Sequence, residues 1–369
     1  MPDRLAACEG IAFAGEVLVA SMRGEVGMRA EASRDNATTP AGLAAALQRI
    51  VSSDLRLSVM IWGPPGVGKS SVVAQVAQAS ALELVDLRLG QLAPTDLRGL
   101  PVARDGLAQW YPPEFLPRDG KGVLFLDELN MAPPALQGIA QQLILDRRVG
   151  SYRVPDGWFI WAAGNRKEDR ASVFDMPAPL ANRFVHFTVA PDLDAFKAHA
   201  IAAGIDERLV AFLSFRPSLL HRPDATRPAW PSPRSWMMAD RLLHAGLGIE
   251  PAVGDPVAAE FAAFTAVYSS LPDLDAICAG RGPTQFPAEP SARYAIAIGL
   301  SIRAKTPAAL RNALGWLVAH SSDEWTSLVL VDAVRLARSE GRIGPVAKAL
   351  QADPVLREKM AKLRDLILQ

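Results

Sequence analysis

The sequence predicts an α/β core, an αβα sandwich on a parallel five-stranded sheet, followed by an all-α lid and C-terminal helices. Three observations predict it. Strand-like and helix-like segments alternate over Leu55–Ala190, the order that strand–helix–strand units produce. Several strand segments are apolar throughout, as strands covered on both faces must be. After Pro191 the strand pattern stops and Ala/Leu-rich helical segments take over, divided by "RPSLLHRPDATRPAWPSPR" and "GPTQFPAEP".

The elements are justified in order. "TPAGLAAALQRIV" begins a helix: Thr39 can cap it, Pro40 suits its first turn, and Leu43, Leu47 and Ile50 share one face. "LSVMIW" (Leu57–Trp62) reads as a buried strand, "GKSSVVAQVAQAS" as the helix after it and "LELVDLR" (Leu82–Arg88) as a second strand. A Pro/Gly-punctuated insertion runs from Ala93 to Pro117. "GVLFLDELN" is a third strand, ending in acids, and "PPALQGIAQQLILD" a helix opened by prolines. "RRVGSYRVPDG" has hairpin character with Gly150–Ser151 at its turn, and "WFIWAAGN" and "VHFTV" are the last two strands.

The chain has 369 residues, room for two or three domains. The segments are an N-terminal appendage (1–40, read as partly disordered), an α/β core (41–190), a helical lid (191–255) and a helical C-terminal region (256–369). Half the residues are hydrophobic, and Lys+Arg and Asp+Glu balance at 39 each. No basic excess points to nucleic acid and no acidic excess to a solvating tail. Cys8 and Cys278 lie far apart, which argues against a disulfide framework and suits a reducing cytosol, so a cytoplasmic location is expected. The five histidines have no metal-ligand spacing. No apolar run reaches the roughly 18 residues of a membrane span. Ile11–Ala20 is interrupted by Glu16 and lacks a basic lead, so a secretory signal is not expected.

"GPPGVGKS" (Gly63–Ser70) fits G-x-x-x-x-G-K-[ST] and lies between an apolar strand and a helix. Glycines at Gly63, Gly66 and Gly68 let backbone N–H groups converge on phosphate oxygens, with Pro64, Pro65 and Val67 between them. Lys69 can neutralise phosphate charge, Ser70 can give its hydroxyl to Mg²⁺, and the helix through Ser71 points its positive end at the anion. A structural glycine turn is the bland alternative.

"VLFLDELN" delivers Asp127 and Glu128 to a strand's carboxyl end, where open α/β sheets bind ligands. Asp127 would hold Mg²⁺ through water, and Glu128 would orient or deprotonate an attacking water. Helix capping is the bland reading of these acids. Asn165 ends "WFIWAAGN", either as a turn residue or as an amide that reaches a terminal phosphate or the water. Arg183, in "PLANRFVHF", is either a surface ion-pair residue or a charge offered to a neighbouring subunit's phosphate. Arg234, in "PSPRSW", falls in a helix's first turn, where a cation opposes the dipole by about 0.3–1 kcal/mol. A bound phosphate would reverse that penalty.

These motifs, in this order, resemble the AAA+ ATPase superfamily of P-loop NTPases, and within it the MoxR-like and dynein-related branch. "GPPGVGKS" resembles Walker A, "VLFLDE" Walker B, "AAGN" sensor 1 at Asn165, "LANRF" the arginine-finger motif at Arg183 and "SPRSW" sensor 2 at Arg234. The similarity covers about Leu43 to Gly248. "TDLRGLPVARDGLAQWYPPEFLP" resembles the branch's helix-2 insert, and "RRVGSYRVPDGW" its hairpin before sensor 1. The resemblance implies ATP and Mg²⁺ as ligands, hexameric self-assembly with ATP at subunit interfaces and Arg183 acting in trans. It also implies a chaperone-like task on a client enzyme, with a von Willebrand factor A domain protein as a frequent partner. Arg166 and Arg170 flank the sensor loop and could serve as the finger instead. Trp110 and Tyr111 either line a pore or pack the insertion onto the core. Rival tasks are a metal-chelatase motor, a nucleic-acid translocating motor and a switch that binds ATP without turnover.

Overall fold

The structure, a computed structural model, describes residues 37–166, 173–268 and 270–358. The predicted appendage lies outside these residues, except its last few positions. Ala37–Thr38 forms a short strand, β1. Helix α1 (Pro40–Ser52) follows, with Thr39 capping it by accepting the Gly42 N–H at 3.0 Å and Leu43, Leu47 and Ile50 buried. Then come β2 (Val59–Trp62), α2 (Lys69–Ala79) and β3 (Glu83–Arg88). The insertion holds α3 (Pro94–Arg98) and the hairpin β4 (Leu100–Arg104)–β5 (Leu107–Tyr111). The turn between those strands is Asp105–Gly106, both at positive φ, as a tight two-residue hairpin requires. The core resumes with β6 (Gly122–Asp127) and α4 (Pro134–Asp146). The hairpin β7 (Arg148–Val149)–β8 (Tyr152–Arg153), β9 (Trp158–Gly164), α5 (Ala178–Ala181) and β10 (Val185–Val189) complete it.

The sheet order is β1-β10-β2-β9-β6-β3, and every pairing is parallel. It therefore has six strands, one more than the five read from sequence. The added strand is β1, whose two residues pair with Thr188 and Val189. So short a segment carries no periodicity to read.

Strand alternation divides the core. Met60, Leu124, Leu126, Ile160 and Ala162 join a cluster with Leu136 and Leu143 of α4. Their neighbours Val59, Ile61, Val123, Phe125, Phe159 and Trp161 join another with α1 and α2. All seven residues of β9 are buried. Side chains of one strand point alternately to opposite faces, so a strand apolar throughout must be covered twice. This is the physical content of the sandwich.

Beyond β10 the described structure is helical: α6 (Leu193–Ala202), α7 (Glu207–Phe215), α8 (Pro233–His244), α9 (Glu250–Val253), α10 (Asp255–Tyr268), α11 (Leu274–Cys278), α12 (Pro290–Arg303), α13 (Pro307–His320), α14 (Asp323–Ser339) and α15 (Ile343–Gln351). One core gathers Phe196, Phe212, Trp236, Phe261 and Phe264. A second gathers Leu314, Trp316, Trp325, Val329 and Leu350. Helix α12 feeds both, giving Ala295 and Ile298 to the first and Ile296, Ala297 and Leu300 to the second. It is apolar around its circumference because it is buried around its circumference. Helices α6 and α14 are joined by a buried ion pair, Lys197 to Asp332 at 2.6 Å, and by Arg335 to Asp194 at 3.1 Å. Among the described residues no helix is long and apolar enough to cross a membrane.

Candidate functional site

The carboxyl ends of β2, β6 and β9 open onto one cleft of about 550 Å³. Its floor is the turn from β2 into α2. Gly66 and Gly68 both lie at positive φ, 79° and 101°, a backbone that residues with a Cβ adopt at a cost. At Gly66 a Cβ would also sit 3.0 Å from Ser232 Oγ, so the loop packs directly on the start of α8. Lys69 is buried and donates to the carbonyls of Gly63 and Pro64 at 2.7 and 3.2 Å, and to Asn165 Oδ1 at 2.9 Å. Pro65, Val67, Ser70 and Ser71 line the cleft with these residues.

Ser70 Oγ donates to Asp127 Oδ2 at 2.6 Å, joining the loop to the end of β6 across 57 positions of sequence. The other Asp127 oxygen accepts the Glu128 N–H at 2.8 Å. Asp127 is therefore not used as the cap of a long helix, the bland reading of this acid. Glu128 lines the cleft with φ at 57°, a conformation that costs a non-glycine residue on the order of 1–3 kcal/mol and gathers at functional sites. Asp86, on the neighbouring strand β3, is held above the usual carboxylate range, first by burial, then by the charge of Asp127. Arg88 opposes this and Glu128 adds to it.

Asn165 follows β9, which lies beside β6 in the sheet. Its placement depends on Asn130, a residue the sequence reading did not single out. Asn130 is 4% exposed; its amide donates to Asn165 O at 2.7 Å and its oxygen accepts the Asn165 N–H at 3.2 Å. A Cβ on Gly164 would lie 2.4 Å from that oxygen, so the glycine makes room for the clasp.

The proline-rich connector closes the other side. His221 Nε2 donates to Pro65 O at 3.1 Å and packs edge-on against Trp230. Ser232 caps α8 by accepting the Ser235 N–H. Arg234 then falls in the first turn of α8 and lines the cleft, with Met237 and Arg241 further along. These three positions are spaced i, i+3 and i+7, one helix face. His221 and Arg241 were not read from sequence, because neither stands in a recognisable local pattern.

Arg183 is exposed just beyond α5 and does not line the cleft. Among the described residues its guanidinium has no ion-pair partner, unlike the surface ion pair considered as its alternative. Arg166 is half-buried beside Asn165, and Arg170 lies outside the described residues. Trp110 is half-buried beneath Arg98, whose guanidinium lies 4.5 Å from its ring, while Tyr111 is exposed.

The donor set suits Mg²⁺: a hydroxyl and a carboxylate are hard oxygen ligands, and the surrounding acids favour a cation. Among the described residues no group of three or more His, Cys, Asp or Glu could hold a metal by itself.

A parallel sheet with a glycine loop feeding a helix, acids at the end of a strand two places along the sheet and a helical C-terminal part defines a P-loop nucleotide-binding fold of the AAA+ type. Residues 58–184 match the family model for the AAA domain of the dynein-related subfamily. The chain is similar to midasin of Giardia intestinalis, 26% identical over 140 residues, which cover 36% of this chain and 3% of that protein. It is also similar to NtrX of Brucella abortus solved in complex with ADP, at 18% identity and a TM-score of 0.38, covering 99% of this chain and 75% of NtrX. A RuvB variant of Thermotoga maritima is 15% identical with a TM-score of 0.37, covering 59% of this chain and 66% of RuvB.

Proposed function

We propose that the chain hydrolyses ATP with Mg²⁺ and assembles into a ring, a hexamer in the MoxR-like manner, that remodels or activates a partner protein. One observation carries the chemistry: Lys69, Ser70, Asp127, Glu128, Asn165 and Arg234 converge on a single cleft from separate elements. The amides of Gly66 to Ser71 and the Lys69 ammonium bind the phosphates. Ser70 and Asp127 would hold the metal, whose charge offsets that of the phosphates. Glu128 takes the proton of the attacking water, and Asn165 orients that water. Arg234, and Arg183 from a neighbouring copy, stabilise charge that develops on the transferred group.

In this reading residues 191–255 act as the lid, 256–369 as a C-terminal helical region, and the protein works in the cytoplasm. The partner is a client enzyme or a von Willebrand factor A domain protein. The outward side of the β4–β5 hairpin supports a protein client: Leu100, Val102, Leu107 and Tyr111 are all exposed there, and clustered exposed apolar side chains mark protein contacts. Phosphate release by the purified chain with Mg²⁺ and ATP tests the proposal. Wild type turns over. Glu128→Gln keeps nucleotide affinity and loses about 100-fold or more in rate, as expected of a lost general base. Wild-type turnover in that variant would refute the assignment.

A further inference from the structure

His186 is a histidine that the chemistry above does not use. It stands on β10, one strand from the phosphate-loop strand β2, with Met60 as its register partner. The Trp62 indole N–H donates to His186 Nδ1 at 2.8 Å. An indole nitrogen only donates, so Nδ1 carries no proton and the ring hydrogen is on Nε2. That nitrogen lies 2.8 Å from the carbonyl oxygen of Ala181 and donates to it. The imidazole is fixed in one tautomer by its two neighbours, with its plane within 9° of the indole's.

Both ends of this relay are informative. Trp62 is the last residue before Gly63, whose carbonyl accepts from Lys69. Ala181 ends α5, and its carbonyl also accepts the Phe184 N–H at 3.2 Å. Ala181 to Phe184 is therefore a closed turn, and Arg183 is its third residue. Phe184 anchors one side of the turn in the core at 8% exposure, and its ring meets His186 edge-on at 6.2 Å. The opposite side is held by His186. Arg183 itself stays exposed between the two anchors.

We infer that His186 is a positioning residue for Arg183, fixing the turn that presents this arginine to a neighbouring copy and tying it to the root of the phosphate loop in its own subunit. The inference rests on the reading of Arg183 as a group acting in trans. A finger must hold its charge at one place on a neighbour's phosphate, and misplacing such a group by about 1 Å can cost 100-fold in rate. A turn hung on a single anchor would swing, and the second anchor removes that freedom.

The test is a subunit-mixing assay with the full chain. Glu128→Gln subunits cannot hydrolyse ATP but offer an intact finger. His186→Phe subunits keep an intact site and, on this inference, offer a misplaced finger. Alone, His186→Phe should lose about tenfold or more in kcat with KM for ATP within about twofold, the pattern of a lost transition-state interaction. Mixed with Glu128→Gln, its rate per competent subunit should rise severalfold, because its sites now meet correctly placed fingers. Mixing Arg183→Ala with Glu128→Gln serves as reference. A rise in the reference without a rise for His186→Phe would place the effect in the subunit's own site and overturn the inference. Wild-type turnover by His186→Phe alone would also overturn it. No rise in either mixture would mean that the trans reading of Arg183 had failed, and the inference with it. Where His186→Phe does not fold, Trp62→Phe removes the indole N–H together with part of the ring stacked on His186 and goes through the same mixing.

Discussion

Asn130 is one side chain with two backbone bonds to Asn165, and it sits almost fully out of water. Removing it leaves the half-buried carbonyl and N–H of Asn165 without their protein partner, and losses of this kind cost up to about 1–3 kcal/mol. Asn130→Ala is therefore expected to lower unfolding free energy by about 2 kcal/mol, read from urea denaturation. It should also lower ATP turnover more than ATP affinity, because Asn165 loses its fixed position while the phosphate loop is untouched. This residue was not legible in the sequence. Its partner is 35 positions away, and the pairing exists only once β6 and β9 lie side by side. The phosphate loop was legible for the opposite reason: its function resides in contiguous backbone, so local glycine spacing carries it. His221 and His186 follow Asn130, each acting on a backbone carbonyl supplied by another element.

At the scale of elements, the five strands read from sequence are present, because apolar runs of strand length between turn signals have few other uses. The acids fell at the end of β6 and the polar sensor at the end of β9 for the same reason: each buried strand stops where polarity begins. The proline-rich connector was read only as a divider. In the structure it is a wall of the site, since His221 and Ser232 press on the phosphate loop from it. Helix α6 is the other wall, and it is tied to α14 by Asp194 and Arg335. The Arg335 hydrogen bond holds the Asp194 carboxyl below its usual range. A depressed carboxylate stabilises the fold above its unfolded pKa, about 3.9, and that stabilisation is lost as pH falls through the lower native value. Because the pair is largely exposed, the effect is small, below about 1 kcal/mol. Melting temperature followed from pH 6 down to strongly acidic pH should therefore show Asp194→Asn less stable than wild type at the upper end, and the difference should close at the lower end. A difference that persisted at the acidic end would assign the loss to packing instead.

At the scale of the whole molecule, the fold class was legible because its glycine loop and apolar strands are written in local sequence. Partner choice was not, because it is a property of surfaces. The apolar hairpin face and Arg183 are both exposed on the surface. An arginine that does not reach its own cleft has a use in this account only if a second copy brings a cleft to it. The central claim is therefore an assembly claim. It is tested most directly by single-particle mass measurement of Glu128→Gln protein with and without Mg²⁺ and ATP, since this variant should bind nucleotide and hold the assembled state. The account predicts particles of six subunits that appear with ATP. Particles of one subunit under both conditions, with nucleotide binding confirmed in the same sample, would contradict it.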